Sequence, residues 1–218
     1  HNLGVNFGES LLPASNDNLK GYFENQAVQA FNETLLVEQG YGWDDVHFDF
    51  ETIEADHRKV LIANAKKIIV REFGVFQRFG IKDPRFCLLF PLWQEACRQL
   101  DIEVRVVLAY RHPIEVAQSL KARNDMSLQS GLALWCEYMT KAELYSREVE
   151  RLCIDYNDLL TDFEQTAQRV LTFIGETKKR NISAKAVIDK NLKHFQHTQE
   201  SLVGVPSFVE KIFVEFVQ

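Results

Sequence analysis

Two arginines and a serine in RHPIEVAQSLKAR, residues 111–123, have the types and spacing to hold an anion. Pro113 suits the first position of a helix, where its missing N–H costs nothing. From that start Glu115, Ser119 and Arg123 recur at i, i+4 and i+8 on one face. Ile114, Ala117 and Leu120 line another, so the serine stands outside the apolar stripe. A guanidinium grips a phosphate through two parallel charge-assisted hydrogen bonds and a hydroxyl adds a third, so Arg111 with Ser119 would make a compact dianion site. The same residues also permit a structural arrangement, with Arg111 paired to Glu115 or to a helix-end carbonyl and Ser119 facing water.

Such residues need a strand to deliver them. Residues 104–110, VRVVLAY, are apolar except for Arg105, the pattern of a strand covered on both faces, as in a parallel sheet. In open parallel sheets ligands bind beyond the carboxyl ends of the strands, and Arg111 stands at that end. A second buried strand is expected at 151–156, RLCIDY, and a short one at 79–83, FGIKD, closed by Asp83-Pro84 because proline cannot donate to a ladder. Periodic apolar residues predict helices over 18–39, 51–73, 87–100 and 128–151, and over 166–176 with Gly175 as its stop. An amphipathic helix is expected at 207–218. Leu128, Leu132, Trp135 and Met139 share one stripe, which makes Trp135 a packing residue. Residues 177–195 read as polar and irregular. This alternation predicts a three-layer α/β fold, a parallel sheet with helices on both faces, in a single domain spanning residues 1–218.

The 218 residues are 46% hydrophobic and 26% charged, ordinary for a globular protein. A formal net charge of −6 argues against nucleic acid or an anionic membrane as partner, so any anion site must be local. No apolar run approaches the roughly 18 residues of a membrane span, and the opening HNLGVNFGES lacks the charged-then-apolar order of a signal peptide. Four widely spaced cysteines without a CxxC pair predict buried free thiols, a reducing compartment and a cytoplasmic location. Sequons at Asn32 and Asn181 carry little weight without a secretory signal. His194 and His197 are three apart but lack companion ligands, so no metal is expected. No GxSxG elbow supports a nucleophilic hydrolase. The oligomeric state is left open.

The ordered set KDPR at 82–85, RHPIEVAQSLKAR at 111–123 and CIDYNDLLTD at 153–162 before a helix ending FIG resembles the sulfotransferases that use 3′-phosphoadenosine 5′-phosphosulfate (PAPS). The likeness is greatest to the bacterial and protein-tyrosine branches. LGVNFGESLLPASNDNLKGYFEN at 3–25 is similar to the segment that follows the cofactor loop in that family. The resemblance implies a P-loop nucleotide hydrolase-like fold of the sulfotransferase type. It also implies metal-independent transfer of a sulfuryl group from PAPS to a hydroxyl or amine acceptor, with adenosine 3′,5′-bisphosphate (PAP) as product. By the same resemblance Arg111 and Ser119 bind the 3′-phosphate, and Arg123 and Tyr156 fall in further cofactor-binding positions. Lys82 would stabilise negative charge on the sulfuryl group or bridging oxygen. Glu24 or Asp83 would be the base, Glu24 being preferred. Each has a structural alternative: a surface lysine at Lys82, a first-turn glutamate favouring a helix N-terminus at Glu24, and a strand residue and helix cap at Tyr156 and Asp158.

One family feature has no counterpart. The loop resembling GxxRSGTT, which takes the 5′-phosphosulfate on backbone N–H groups at a helix N-terminus, is not present. HNLGVNFGE resembles the end of the helix that follows this loop, so the first strand and the loop are expected upstream of His1. Without them the same fold would be a non-catalytic nucleotide-binding module. A P-loop-type phosphotransferase would need GxxxxGK[ST], which is also absent. KKR at 178–180 offers cations to a cofactor but reads as a solvated loop. The acceptor is left open among small molecules, sugars, lipids and peptides, with the aromatic and acidic loop at 40–49, GYGWDDVHFD, available to meet it.

Overall fold

The structure, a computed structural model, describes residues 5–14, 21–176 and 205–217. It divides the chain into two compact units, His1–Val104 and Arg105–Gln218. Asn181, His194, His197 and the segments 177–195 and 178–180 singled out above lie outside the described residues. Among the described residues no helix is long and apolar enough to cross a membrane.

The first unit is built on three helices, α1 (Gln26–Glu38), α2 (Ala55–Phe73) and α3 (Phe86–Arg98), with a 3₁₀ turn at Phe50–Thr52. Side-chain caps decide where the first two begin. Asn25 accepts the N–H groups of Ala27 and Val28, and Glu54 those of Asp56 and His57, so α1 starts later than the periodicity predicts and α2 starts at Ala55. Val28, Leu35, Ala65, Ile69, Leu88 and Leu92 form its buried interior. The strand expected at 79–83 reduces to one isolated parallel bridge between Asn6 and Phe79. Beyond it the Asp83 carboxylate takes the backbone N–H of Arg85, a turn that leaves no room for a ladder before α3.

The second unit carries the sheet. β1 (Arg105–Tyr110) and β2 (Glu150–Asp155) pair in parallel, in register from Arg105 opposite Glu150 to Tyr110 opposite Asp155. Around them run α4 (Pro113–Asn124), α5 (Leu128–Tyr145), α6 (Tyr156–Thr161), α7 (Phe163–Phe173) and α8 (Ser207–Val217). The fold is therefore mixed α/β, with a two-stranded parallel sheet and eight α-helices among the described residues. The helix expected through residue 151 stops at Tyr145, where the Ser146 hydroxyl donates to the Ala142 carbonyl at 2.6 Å. The second strand ends one residue early, because the Asp155 carboxylate accepts the Asn157 N–H at 2.7 Å and turns Tyr156 into the first residue of α6. Gly175, at φ +72°, closes α7 as expected.

Tyr110, Trp135 and Met139 join Val209, Phe213 and Phe216 of α8 in one buried cluster. α4 and α5 cross closely where Gly131 faces Ala117: a Cβ on Gly131 would lie 2.9 Å from the Ala117 Cα. We expect Gly131→Ala to lower the unfolding free energy by about 1–3 kcal/mol in urea titration, since the helix backbones must part to admit the methyl.

All four cysteines are free; Cys97 and Cys136 are buried, whereas Cys87 and Cys153 are only half-buried. Burial pushes the Cys87 thiol up to about 12, the Asp83 carboxylate adding to it, and pushes Cys97 and Cys136 to about 11. The unfolded chain releases these protons near the ordinary value of 9.0, while the folded chain still holds them. The unfolded state then binds fewer protons, so stability falls as pH rises through this interval. Thermal melts should show Tm dropping between about pH 9 and 11, with less of a drop in a Cys87→Ser, Cys97→Ala, Cys136→Ala variant.

Candidate functional site

Arg111 is the first residue past the carboxyl end of β1, and the structure holds it from three directions. Its carbonyl accepts the Trp135 indole N–H at 3.0 Å. Its Nε donates to Glu115 Oε2, in the first turn of α4, at 2.7 Å, and the Glu115 side chain has no exposed surface. Its guanidinium carbon lies 4.8 Å from the centroid of the Tyr156 ring, a cation–π contact. The next residue, His112, is buried and caps α4 by accepting the Ile114 N–H on Nδ1 at 3.3 Å, with Pro113 in the first helical position as expected.

The Arg111–Glu115 pair is the structural arrangement that the residue types permitted. A buried carboxylate requires a partner, and Nε supplies it from the edge of the guanidinium. That bond engages Nε, one of the five N–H donors the guanidinium carries. Ser119 follows one turn after Glu115 on the same face of α4 and is half-buried. Arg123, in the last turn, is exposed, and its Nε donates to Asn124 Oδ1 at 2.8 Å. Arg111, Glu115 and Tyr156 are thus brought into contact. Asp158 is not the helix cap allowed for it; Asp155 fills that role, and Asp158 is an exposed residue of the first turn of α6.

In the first unit the Lys82 ammonium meets Glu24 Oε1 at 2.6 Å, with Glu24 buried and Lys82 half-exposed. Glu24 lies outside α1, because Asn25 is the cap, so it is not the first-turn glutamate of the structural alternative. Its backbone carbonyl instead accepts the Leu12 N–H at 2.8 Å. Phe23, immediately before it, is half-exposed and sits at φ +56°, in the left-handed region that a bulky side chain seldom adopts.

Asp83 is placed differently. Its side chain is fully buried and accepts from Asn32 Nδ2 at 2.9 Å, from the Arg85 backbone N–H at 2.9 Å and from the Arg85 guanidinium at 3.1 Å. Arg85 also pairs with Glu33, and Asn32 Oδ1 accepts the Trp93 indole N–H at 2.9 Å. A carboxylate so enclosed is a structural hub; of the two proposed bases, Glu24 is paired with a half-exposed lysine and Asp83 with a mostly buried arginine. The same network removes the Asn32 sequon from reach, since that side chain is wholly buried. Sequence reasoning missed Asn32, Arg85 and Trp93; the available signal was a polar Asn32 among Val28, Leu35 and Leu36 on the buried side of α1.

Among the described residues no group of three or more histidines, cysteines and carboxylates is arranged to hold a metal ion. Comparison with protein-family models, with curated proteins and with solved structures finds no match to the chain. The buried pair makes Arg111 and Ser119 unequal in their effect on stability. Arg111→Ala takes the guanidinium away from the buried Glu115 carboxylate and should cost about 3–5 kcal/mol in chemical denaturation, whereas Ser119→Ala should stay within about 0.5 kcal/mol of wild type.

Proposed function

We propose that the chain is a PAPS-dependent sulfotransferase domain that holds the cofactor's 3′-phosphate through Arg111 and Ser119. The observation that carries this reading is the setting of Arg111, at the carboxyl end of a parallel strand with its Nε fixed by a buried glutamate and its guanidinium carbon over the Tyr156 ring. A free arginine loses much rotamer freedom on gripping a phosphate; one already held in place loses less, which favours binding. The donor set fits a phosphate dianion: a planar guanidinium, a hydroxyl further along the same helix face, and Arg123 at its end. The parallel β1–β2 pair supports the finer expectation of a three-layer sheet of the P-loop nucleotide hydrolase-like, sulfotransferase type.

PAPS supplies the sulfuryl group, which passes to the oxygen or nitrogen of the acceptor while PAP leaves. This chain's residues are assigned the tasks around that transfer. Arg111, Ser119, Arg123 and Tyr156 bind and orient the nucleotide. Lys82 lends positive charge where negative charge develops, and Glu24 takes the acceptor's proton. The Lys82–Glu24 contact supports the pairing of those roles, because it holds the cationic group and the carboxylate together, 2.6 Å apart. Asp83 is left out of the chemistry. The reaction requires no metal, and the free cysteines fit a cytoplasmic setting. The acceptor class remains a hydroxyl or amine on a small molecule, sugar, lipid or peptide.

A second reading keeps the nucleotide grip without the transfer. It is favoured by the buried Arg111–Glu115 pair, which stabilises the turn whether or not chemistry follows. Calorimetric titration with adenosine 3′,5′-bisphosphate tests the shared step. Wild type should bind, Ser119→Ala should bind about tenfold or more weakly, and Arg111→Lys, which keeps the charge but loses the planar fork, should also bind more weakly. Absence of binding by wild type, or equal affinity in all three, rejects the phosphate assignment. Formation of a sulfated acceptor from PAPS separates the enzyme from the non-catalytic module.

A further inference from the structure

The turn that carries Arg111 lies beyond the β1–β2 ladder, which ends at Tyr110 opposite Asp155. Its position is set by side chains, and one residue just over a hundred positions later touches three of them. Phe213 of α8 is 4% exposed. Its ring centroid lies 6.3 Å from Tyr110 at 71°, 5.1 Å from His112 at 65° and 6.2 Å from Trp135 at 56°. Tyr110 and His112 are the chain neighbours of Arg111, and Trp135 donates to its carbonyl. These are edge-to-face and tilted ring contacts, whose attraction depends on angle as well as burial, so they fix ring orientation. Phe216, on the same helix and in the same cluster, makes its ring contact with Tyr110, at 5.9 Å, among the described residues.

We infer that Phe213 is a positioning residue for Arg111, so that docking of α8 and anion binding at Arg111 are thermodynamically coupled. The inference rests on the reading of Arg111 as a phosphate ligand. Phe213 acts through its neighbours: with its ring in place, the His112 cap and the Trp135 indole share one packing partner and the peptide between them has one position. With the ring removed, both lose a common wall, and the guanidinium is presented from a turn with several positions. Linkage then requires the reciprocal effect. Whatever factor docked α8 contributes to anion affinity, bound anion must return to α8 docking.

The test compares wild type with Phe213→Ala, Phe213→Leu and Phe216→Ala. Trp135 has an indole N–H signal in a ¹H–¹⁵N spectrum, assignable by its loss in Trp135→Phe, and this signal reports the bond to the Arg111 carbonyl. Phe213→Ala should shift that signal and weaken adenosine 3′,5′-bisphosphate binding by about tenfold. Phe213→Leu, which restores most of the volume, should recover both in part. Phe216→Ala should leave both within about twofold of wild type, although it too removes a buried ring. In wild type, saturating bisphosphate should slow amide hydrogen exchange across residues 207–217.

An unmoved Trp135 signal and unchanged affinity in Phe213→Ala overturn the inference, as does a Phe216→Ala variant that matches Phe213→Ala, since the effect would then be general loss of packing. If Phe213→Ala does not fold, Phe213→Leu and the exchange measurement decide it: no effect in either one rejects the coupling. If wild type binds no bisphosphate, it is the phosphate reading of Arg111 that fails. The Trp135 signal then decides by itself whether Phe213 positions the turn, shifting if it does and staying fixed if it does not.

Discussion

A glutamate side chain with no exposed surface cannot stand alone, and the second unit is organised around the one at position 115. Stripped of water, its carboxylate must be met by a positive group or be protonated, and Arg111 meets it with Nε at 2.7 Å. The bond reaches the first turn of α4, so it ties the end of β1 to the start of α4. Everything adjacent conforms to that tie. Pro113 and the His112 cap start the helix where the glutamate can reach back, and the close passage of Gly131 over Ala117 lets α5 approach near enough for Trp135 to hold the Arg111 carbonyl.

The first unit solves a similar problem with a different outcome. Asp83 is as deeply buried as Glu115, but its oxygens are satisfied by an asparagine, a backbone N–H and a neighbouring arginine that is itself drawn toward Glu33. The network holds that carboxylate in the interior. Glu24 is buried too, yet its partner is a lysine whose side chain is half in water. Two adjacent residues, Lys82 and Asp83, therefore have different prospects, one turned toward solvent chemistry and the other toward the core. Only burial separates them.

Much of the element order was legible because periodicity and punctuation agree. The segments at 104–110 and 151–156 appear as the two parallel strands, shifted by a residue at their ends, but they are not buried throughout as expected: only Tyr110 of β1 and Ile154 and Asp155 of β2 are buried, and Val107 is 42% exposed. Pro113 and Gly175 mark a helix start and a helix stop where expected. The misplaced boundaries share a cause: side chains that bond to nearby backbone. Asn25, Ser146 and Asp155 each move an element end by satisfying a local N–H or C=O, a competition that apolar spacing does not register. The strand expected at 79–83 pairs, among the described residues, only through the Asn6–Phe79 bridge, and at its end Asp83 bonds forward to Arg85.

What residue order determined by itself is local: where chain turns from strand to helix, which residues share a helical face, and that Arg111, Glu115, Ser119 and Arg123 stand on one side of such a turn. Those follow from periods of two and 3.6 and from the fixed φ of proline. Whether Glu115 was a solvated neighbour or a buried anchor, and whether Asp83 was a base or a hub, was decided only by tertiary structure. Ionisable groups take their character from the dielectric around them, and that depends on elements distant in sequence closing over the site: α8 and α5 around the Arg111 turn, and Asn32 and Trp93 above Asp83.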